Sequence, residues 1–497
     1  MKITLDASRE TIEDQHIRSI LNGNVHLTIS DESYNRINRC HQYLQDKIHA
    51  SDALMYGINT GFGSLRNVAI DDKQLGALQV NLIRSHACGA GNIVPLEIAR
   101  LILFLKIRSL SYGYSAVTTE LVSRLLGMYN DDAIPVMYEQ GSLGASGDLA
   151  PLAHLSLPLI GEGQVFYNGE IISGQKYLDF KNLRHYILQA KEGLALINGT
   201  QFSLAYLQAS YIRGRQLLQT ANFVAAMSLE GFDCRMDPFH PAIHDIRPGN
   251  GQPQIASFFN DLMSDSSHMA EPRVDVQDPY SFRCIPQVHG ASLNALNHIG
   301  NVISEERNSV TDNPNVFPEE DMVISGGNFH AQPLALASDY LCLATAELGN
   351  ISERRLYLLV SGLRGLEPFL TTRPGLQSGF MIAQYTAASI VSINKQLASP
   401  SSVDSIVSSN GQEDHVSMAA NAGVKVWQIV NNVATVLAIE WQAASQAVEM
   451  KNYPIASGLK HHLQKYRTYV PFLQEDRSLQ PDFVKTKEFF HDINWFE

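Results

Sequence analysis

Beyond residue 198 the chain runs almost wholly in long stretches whose apolar residues recur at intervals of three and four. These lie near 200–230, 286–310, 330–362, 380–397 and 416–450. That spacing puts the apolar side chains on one face of an α-helix. The stretch 330–362 is rich in Ala and Leu and nearly free of Gly and Pro, so little in it would end a helix. Helices above about 25 residues are unusual in ordinary domains and predict a bundle or the core of an oligomer. The expected fold is therefore mainly α. The first 200 residues are mixed. Leu75, Leu78, Leu82 and Ile83 have helical spacing, as do Leu101, Phe104, Leu105, Ile107 and Leu110. Val25–Ile29 reads as a strand. Residues 164–166 and 170–172 flank Tyr167-Asn168-Gly169, and Asn-Gly between such runs reads as a tight hairpin. The organisation expected is an α+β domain over 1–200 followed by a long-helix bundle over 201–497.

With 497 residues, 45% of them hydrophobic, the chain can bury a large core. Its formal charge of −13 and the absence of any Lys/Arg-rich run argue against nucleic acid or an anionic membrane as partner. The start, MKITLDASRETIEDQ, is polar and has no signal-peptide h-region. No run of 18 apolar residues occurs, and the best candidate, Leu101–Leu105, is cut by Arg100 and Lys106. A cytoplasmic protein is expected. The five cysteines are scattered without a CxxC pair, so neither a disulfide framework nor a metal site is indicated.

The chemistry concentrates in GSLGASGDLAPLAHLSL, residues 141–157. In Ala145-Ser146-Gly147 the amide nitrogen of Gly147 can attack the carbonyl carbon of Ala145. Loss of two waters, one of them carrying the Ser146 hydroxyl, leaves a five-membered imidazolone with an exocyclic methylene, a strong electrophile. Each residue type has a reason. Gly147 has no Cβ to block the approach, Ala145 is small, and Ser146 supplies the hydroxyl that leaves. Gly141 and Gly144 permit strained dihedrals. The tripeptide alone would equally suit a glycine-rich turn before the apolar run 149–159.

The longer pattern GxxGASGDLxPLxH resembles the signature of the aromatic amino-acid ammonia-lyase family, and further matching blocks run from about residue 55 to about 445. The resemblance implies that Ala145, Ser146 and Gly147 form 4-methylidene-imidazol-5-one (MIO), with no external cofactor. It also implies a homotetramer whose active sites draw on more than one chain, acting on a small-molecule substrate.

Six loop blocks then take on expected roles. MYGINTGFG carries Tyr56, a catalytic tyrosine by resemblance and the favoured base, with Tyr280 as the alternative. A phenol has a reference pKa of about 10 and must be lowered to serve near neutral pH. NLIRSHACGAG carries His86, which the family places against the substrate ring and which can donate to or accept from an imidazole nitrogen. KEGLALINGTQ carries Asn198, otherwise readable as a helix cap, which the resemblance puts beside the MIO carbonyl as an oxyanion-type donor. VQDPYSFRC carries Gln277, Tyr280 and Arg283. The arginine fork suits a carboxylate, and Tyr280 is a second active-site tyrosine. SVTDNPNVF and ISGGNFHAQP carry Asn313, expected with Arg283 on the carboxylate, and Phe329 near the electrophile. Gly326-Gly327 reads as a hairpin turn.

SSNGQEDHVSM bears on the substrate. Gln412 and Glu413 precede a helical run, where a carboxylate can simply favour the helix N-terminus. Family members that act on histidine carry this Gln-Glu-Asp-His pattern, whereas those acting on phenylalanine or tyrosine usually have an amide where Glu413 lies. The physics agrees: an imidazole N–H wants a charged acceptor, and a phenyl ring would leave Glu413 desolvated and unpaired. The expected reaction is elimination of ammonia from L-histidine to trans-urocanate. The alternatives are tyrosine or phenylalanine elimination, or a 2,3-amino shift. A serine hydrolase is disfavoured because Gly144-Ala145-Ser146-Gly147 does not fit G-x-S-x-G, and the glycines lack P-loop and Rossmann spacing.

Overall fold

A computed structural model describes residues 1–497 except 9–11, 51–53, 62, 66, 72–73, 248, 250, 268–274, 494 and 496–497. Phe62 of the MYGINTGFG block thus lies outside the described residues. The protein is mainly helical, and its longest helices are Gln201–Gly231, Gln332–Leu359 and Ala419–Lys451. They follow the apolar stretches expected from the sequence, as do Ile285–Arg307 and Met381–Leu397. Four further helices interrupt regions where periodicity is weak: Asp31–Ala50, Gly251–Leu262, Ser457–Tyr466 and Gln480–Asp492. In the first, Ile37, Cys40, Leu44 and Ile48 form a narrow buried stripe among polar residues.

The chain divides into two compact units. Unit 1 comprises Met1–Ile212, Asn301–Asp339 and Pro400–Val424, and unit 2 comprises Arg213–Gly300, Tyr340–Ser399 and Lys425–Glu497. Loops near residues 313 and 413 therefore share unit 1 with the segment around Ser146.

Unit 1 contains the strands. Lys2–Leu5 pairs in parallel with His26–Ile29, and Ala90–Ile93 pairs antiparallel with Tyr138–Gln140. Ile134–Pro135, Gln164–Tyr167 and Glu170–Ser173 form a three-stranded antiparallel sheet. The hairpin turn at Asn168-Gly169 has φ of 52° and 80°, the left-handed pair that Asn-Gly supplies. A second hairpin joins Asn315–Phe317 to Met322–Ile324. Its turn is Pro318–Asp321, not Gly326-Gly327 as expected. Asp321 takes φ 54°, which a short polar side chain tolerates, and the glycines follow the second strand. The helix Leu96–Ser111 is buried from Ile98 onward and forms the unit's spine.

In unit 2, Trp441 packs against Tyr466, Phe489 and Trp495. Arg355 and Glu440, both fully buried, form a two-point ion pair, and Ser228 Oγ donates to the same carboxylate. Among the described residues one helix, Ala419–Lys451, is long and apolar enough to cross a membrane by length and composition. Its Val436–Val448 segment is buried inside the protein.

Candidate active site

The turn at residues 141–148 is built by positive-φ backbone that favours glycine. Gly141, Gly144 and Gly147 have φ of 137°, 60° and 81°. A Cβ on Gly147 would lie 2.8 Å from the carbonyl carbon of Gly199 and nearer still to its N and O. Gly147 and Gly199 form an isolated parallel bridge, and Asp148 N donates to Gly199 O at 2.7 Å. The buried Asp148 carboxylate ties the turn together, accepting from Ser142 Oγ (2.8 Å), Ser203 N (2.9 Å) and Ser203 Oγ (2.8 Å). Burial pushes this carboxyl up, against the pull of those donors. The other side of the turn is held by residues 417–418: Ser417 Oγ donates to Gly144 O at 2.9 Å and Met418 N to Leu143 O at 2.9 Å.

Ser146 stands at the wall of a cavity of about 430 Å³. Tyr56, Ala145, Asn198, Asn313, Phe329, Gln412 and Glu413, all expected site residues, line the same cavity. Asn198 leaves the end of helix Glu192–Ile197 in an extended conformation and donates from Nδ2 to Ser146 O at 2.7 Å. Ser146 Oγ donates to Glu413 Oε1 at 2.6 Å, and Ser408 Oγ donates to Glu413 Oε2 at 2.8 Å. Glu413 lies in a loop, six residues before helix Ala419–Lys451, so it does not serve as the helix-terminal carboxylate its position in sequence allowed. Gly63 N donates to Tyr56 Oη at 3.2 Å. Asn313 is locked by Gly326 N, which donates to its Oδ1 at 2.6 Å, and by its own Nδ2 bond to Ser325 Oγ at 3.2 Å.

A second cavity of about 530 Å³ shares Tyr56, Ser146, Asn198 and Glu413 and adds His86, with Leu78, Leu82, Leu149, Leu194 and Ile197 as apolar walls. His86 Nδ1 is 2.8 Å from Leu82 O, which only accepts, so Nδ1 carries the proton and Nε2 is the acceptor. Burial lowers the His86 pKa, opposed by the Leu82 bond and the field of Glu413, which favours this neutral form.

Gln277, Tyr280 and Arg283 do not line either cavity. They line one of about 470 Å³ within unit 2, where Arg283 Nη1 donates to Gln277 Oε1 at 2.5 Å and its guanidinium lies 4.5 Å from the centre of the Tyr280 ring. Arg283 is thus engaged within unit 2 by Gln277 and Tyr280, and Asn313 within unit 1 by Gly326 and Ser325. Among the described residues no cluster of His, Cys, Asp or Glu could hold a metal ion.

A family profile described as aromatic amino acid lyase matches residues 12–468. The chain belongs to this family. Relatives of this lyase include a protein named histidine ammonia-lyase from Deinococcus radiodurans, 46% identical over 474 residues, covering 94% of this chain and 90% of the relative. Another of that name, from Symbiobacterium thermophilum, is 48% identical over 441 residues, covering 88% of this chain and 87% of the relative. Among solved structures, histidine ammonia-lyase from Trypanosoma cruzi superposes with a TM-score of 0.90 at 36% identity, covering 99% of this chain and 93% of that one. Tyrosine aminomutase from Streptomyces globisporus gives 0.92 at 30% identity, covering 98% and 97%.

Sequence reasoning gave no role to several residues of this lyase that hold the site. Asp148 lies in the signature pattern, yet its function as the knot of the turn shows only in its burial. His154, in the same pattern, accepts from Gly89 N at 3.0 Å and pins the turn that follows His86. Its pKa is lowered by burial, in keeping with an acceptor nitrogen. Ser408 and Ser417 are signalled only as serines flanking QEDH.

Proposed function

We propose that the chain eliminates ammonia from L-histidine to give trans-urocanate, using MIO formed from Ala145, Ser146 and Gly147. The observation that carries this reading is a carboxylate, Glu413, within hydrogen-bond reach of the residue that becomes the electrophile. The relatives named histidine ammonia-lyase, at 43–48% identity, support the same substrate. The residues present fit MIO: Gly147 packs directly on Gly199 backbone, where no Cβ can stand, and Asn198 already donates to the carbonyl that the ring would carry. When formed, the group supplies an electrophile that activates the substrate for loss of its amine.

The chain's own residues do the rest. Asn198 Nδ2 stabilises negative charge on Ser146 O. Glu413 accepts the substrate imidazole N–H, and neutral His86 offers Nε2 to the ring's other edge. Tyr56 Oη, held by Gly63 N–H, takes the β-proton. Asn313, Phe329 and Gln412 shape the cavity around the amino-acid end.

The working enzyme is a homotetramer in the cytoplasm, and a second copy of the chain supplies Gln277, Tyr280 and Arg283 to grip the carboxylate. Two facts support this. Those residues line a cavity of unit 2, with Tyr280 exposed. Helices Gln332–Leu359 and Met381–Leu397 expose Tyr340, Leu343, Tyr357, Ile382, Tyr385 and Ile393, apolar surface of a kind that partners cover.

The test is kcat/KM for histidine, tyrosine and phenylalanine side by side, with intact mass of wild type and Ser146→Ala. Histidine is expected to lead, and only the wild type to show a two-water loss. Tyrosine equal to histidine would reassign the substrate. A wild type of full mass would remove MIO from the reading.

A further inference from the structure

Lys106 lies in the middle of the buried helix Leu96–Ser111 and is itself 1% exposed. Its ammonium donates to two carbonyl oxygens, Ala195 O at 3.1 Å and Asn198 O at 2.8 Å. Both belong to the C-terminal end of helix Glu192–Ile197, where carbonyls lack intrahelical donors and a cation is favoured by the helix dipole. The nearby carboxylate of Asp312 is engaged by Lys191 at 2.7 Å. Burial pushes the Lys106 ammonium down to about 7. Holding an amine here is costly, and an apolar side chain of the same length would avoid that cost.

What Lys106 holds is the hinge of the oxyanion donor. Asn198 is the residue at which the chain turns from helix to extended backbone. Its main-chain oxygen is fixed by Lys106, while its side chain reaches Ser146 O and the next residue, Gly199, bridges Gly147. We infer that Lys106 is a positioning residue: by clamping the Ala195 and Asn198 carbonyls it sets the distance between Asn198 Nδ2 and the Ser146 carbonyl oxygen, and so governs the rate of the chemical step. The inference rests on the role of Asn198 proposed above. Lys106 lines neither of the two cavities that Ser146 lines, so it acts on the site through the Ala195–Asn198 backbone.

The test uses full-length Lys106→Met, with matured chains counted by intact mass. Rates are expressed per matured chain. The kcat for histidine is expected to fall about ten- to hundredfold, the range for displacing a catalytic group by an ångström or less, with KM within about threefold. Lys106→Met combined with Asn198→Ala should be no slower than Asn198→Ala alone, since both changes remove one interaction. Amide hydrogen exchange over residues 194–200 should accelerate in Lys106→Met, with the remaining helices unchanged. Losses that multiply in the double variant, or unaltered exchange over 194–200, overturn the inference. If Lys106→Met does not fold, Lys106→Gln replaces it. Wild-type kcat in either folded variant, or failure of both to fold, also overturns it. Should wild type release no ammonia from histidine, the proposed reaction fails, while the exchange measurement still reports the clamp on Asn198.

Discussion

Gly147→Ala is the sharpest test of how the turn is built, and it is best measured on Ser146→Ala, which cannot form the ring in either case. Three costs add. Ala must adopt φ near 81°, which disfavours an L-residue by about 1–2 kcal/mol. Its Cβ would meet Gly199 backbone, with the carbonyl carbon at 2.8 Å, and backbone cannot move aside as a flexible side chain can. Overpacking of this kind costs about 1–3 kcal/mol. The shift that relieves it breaks the Asp148 N to Gly199 O bond, worth about 0.5–1.5 kcal/mol. The total is roughly 3–6 kcal/mol; at an unfolding entropy of about 2.1 cal/mol/K per residue a chain of 497 residues shifts by about 1 °C per kcal/mol, so Tm falls by about 3–6 °C. Thermal unfolding of Ser146→Ala with and without Gly147→Ala reads the difference. A Tm change under about 2 °C would refute the contact between residues 147 and 199. A Gly147→Ala protein with normal Ser146 that still lost two waters would refute the requirement for an unhindered amide.

Other outcomes follow from the same geometry. Tyr56→Phe should lower kcat by about 10²–10⁴, the usual loss of a general base, with KM little changed; a raised KM at normal kcat would make Tyr56 a binding residue. Glu413→Gln should lower kcat/KM for histidine about ten- to a hundredfold, the worth of a charge-assisted hydrogen bond, and leave phenylalanine unchanged or improved; an equal loss for both substrates would separate Glu413 from ring recognition. Stability should fall with acid. His289 is fully buried, and desolvation holds its pKa well below 6.5 in the folded chain. Above 6.5 both states are neutral there. Below 6.5 the unfolded chain takes up a proton that the native one does not, removing up to about 1.4 kcal/mol per pH unit. The raised carboxyls of Asp148 and Glu306 act in the opposite sense. Urea unfolding at pH 7.5 and 5.5, with His289→Gln as control, checks this; an identical slope in the control would assign the effect elsewhere.

The long helices were legible because Ala, Leu and Val recur in them over many turns without a breaker. The hairpin at Asn168-Gly169 was legible because that dipeptide suits few other turns. Helix Asp31–Ala50 was not, since its stripe of Ile37, Cys40, Leu44 and Ile48 is diluted by charged neighbours. Arg100 and Lys106 show a different limit. In the sequence they look like polar interruptions of an apolar run. In the fold both are buried, Arg100 paired with Asp132 at 2.9 Å and Lys106 bonded to carbonyls 89 and 92 residues away. One-dimensional pattern cannot tell a solvated cation from a satisfied one. Nor can it bring residues 56, 146, 198, 313, 329 and 413 to one cavity. That grouping came from resemblance to a family, and the physics behind it, glycine against glycine at 147 and 199, is visible only in three dimensions.

Glu413 links the formation of the site to its use. In the uncyclised chain its two oxygens are engaged by two serine hydroxyls, one from Ser408 and one from Ser146. On the proposed chemistry the Ser146 hydroxyl is the one that leaves as water. Ring formation therefore removes a donor from the carboxylate while Ser408 continues to hold the other oxygen in place. A half-buried carboxylate stripped of one partner is left with an acceptor facing the cavity, and leaving it unmet is costly. An imidazole N–H meets that need, whereas a phenyl ring cannot. On the proposed chemistry, preference for histidine then has two sources: a negative charge at residue 413, and a ring-forming reaction that also vacates the hydrogen bond the substrate would occupy.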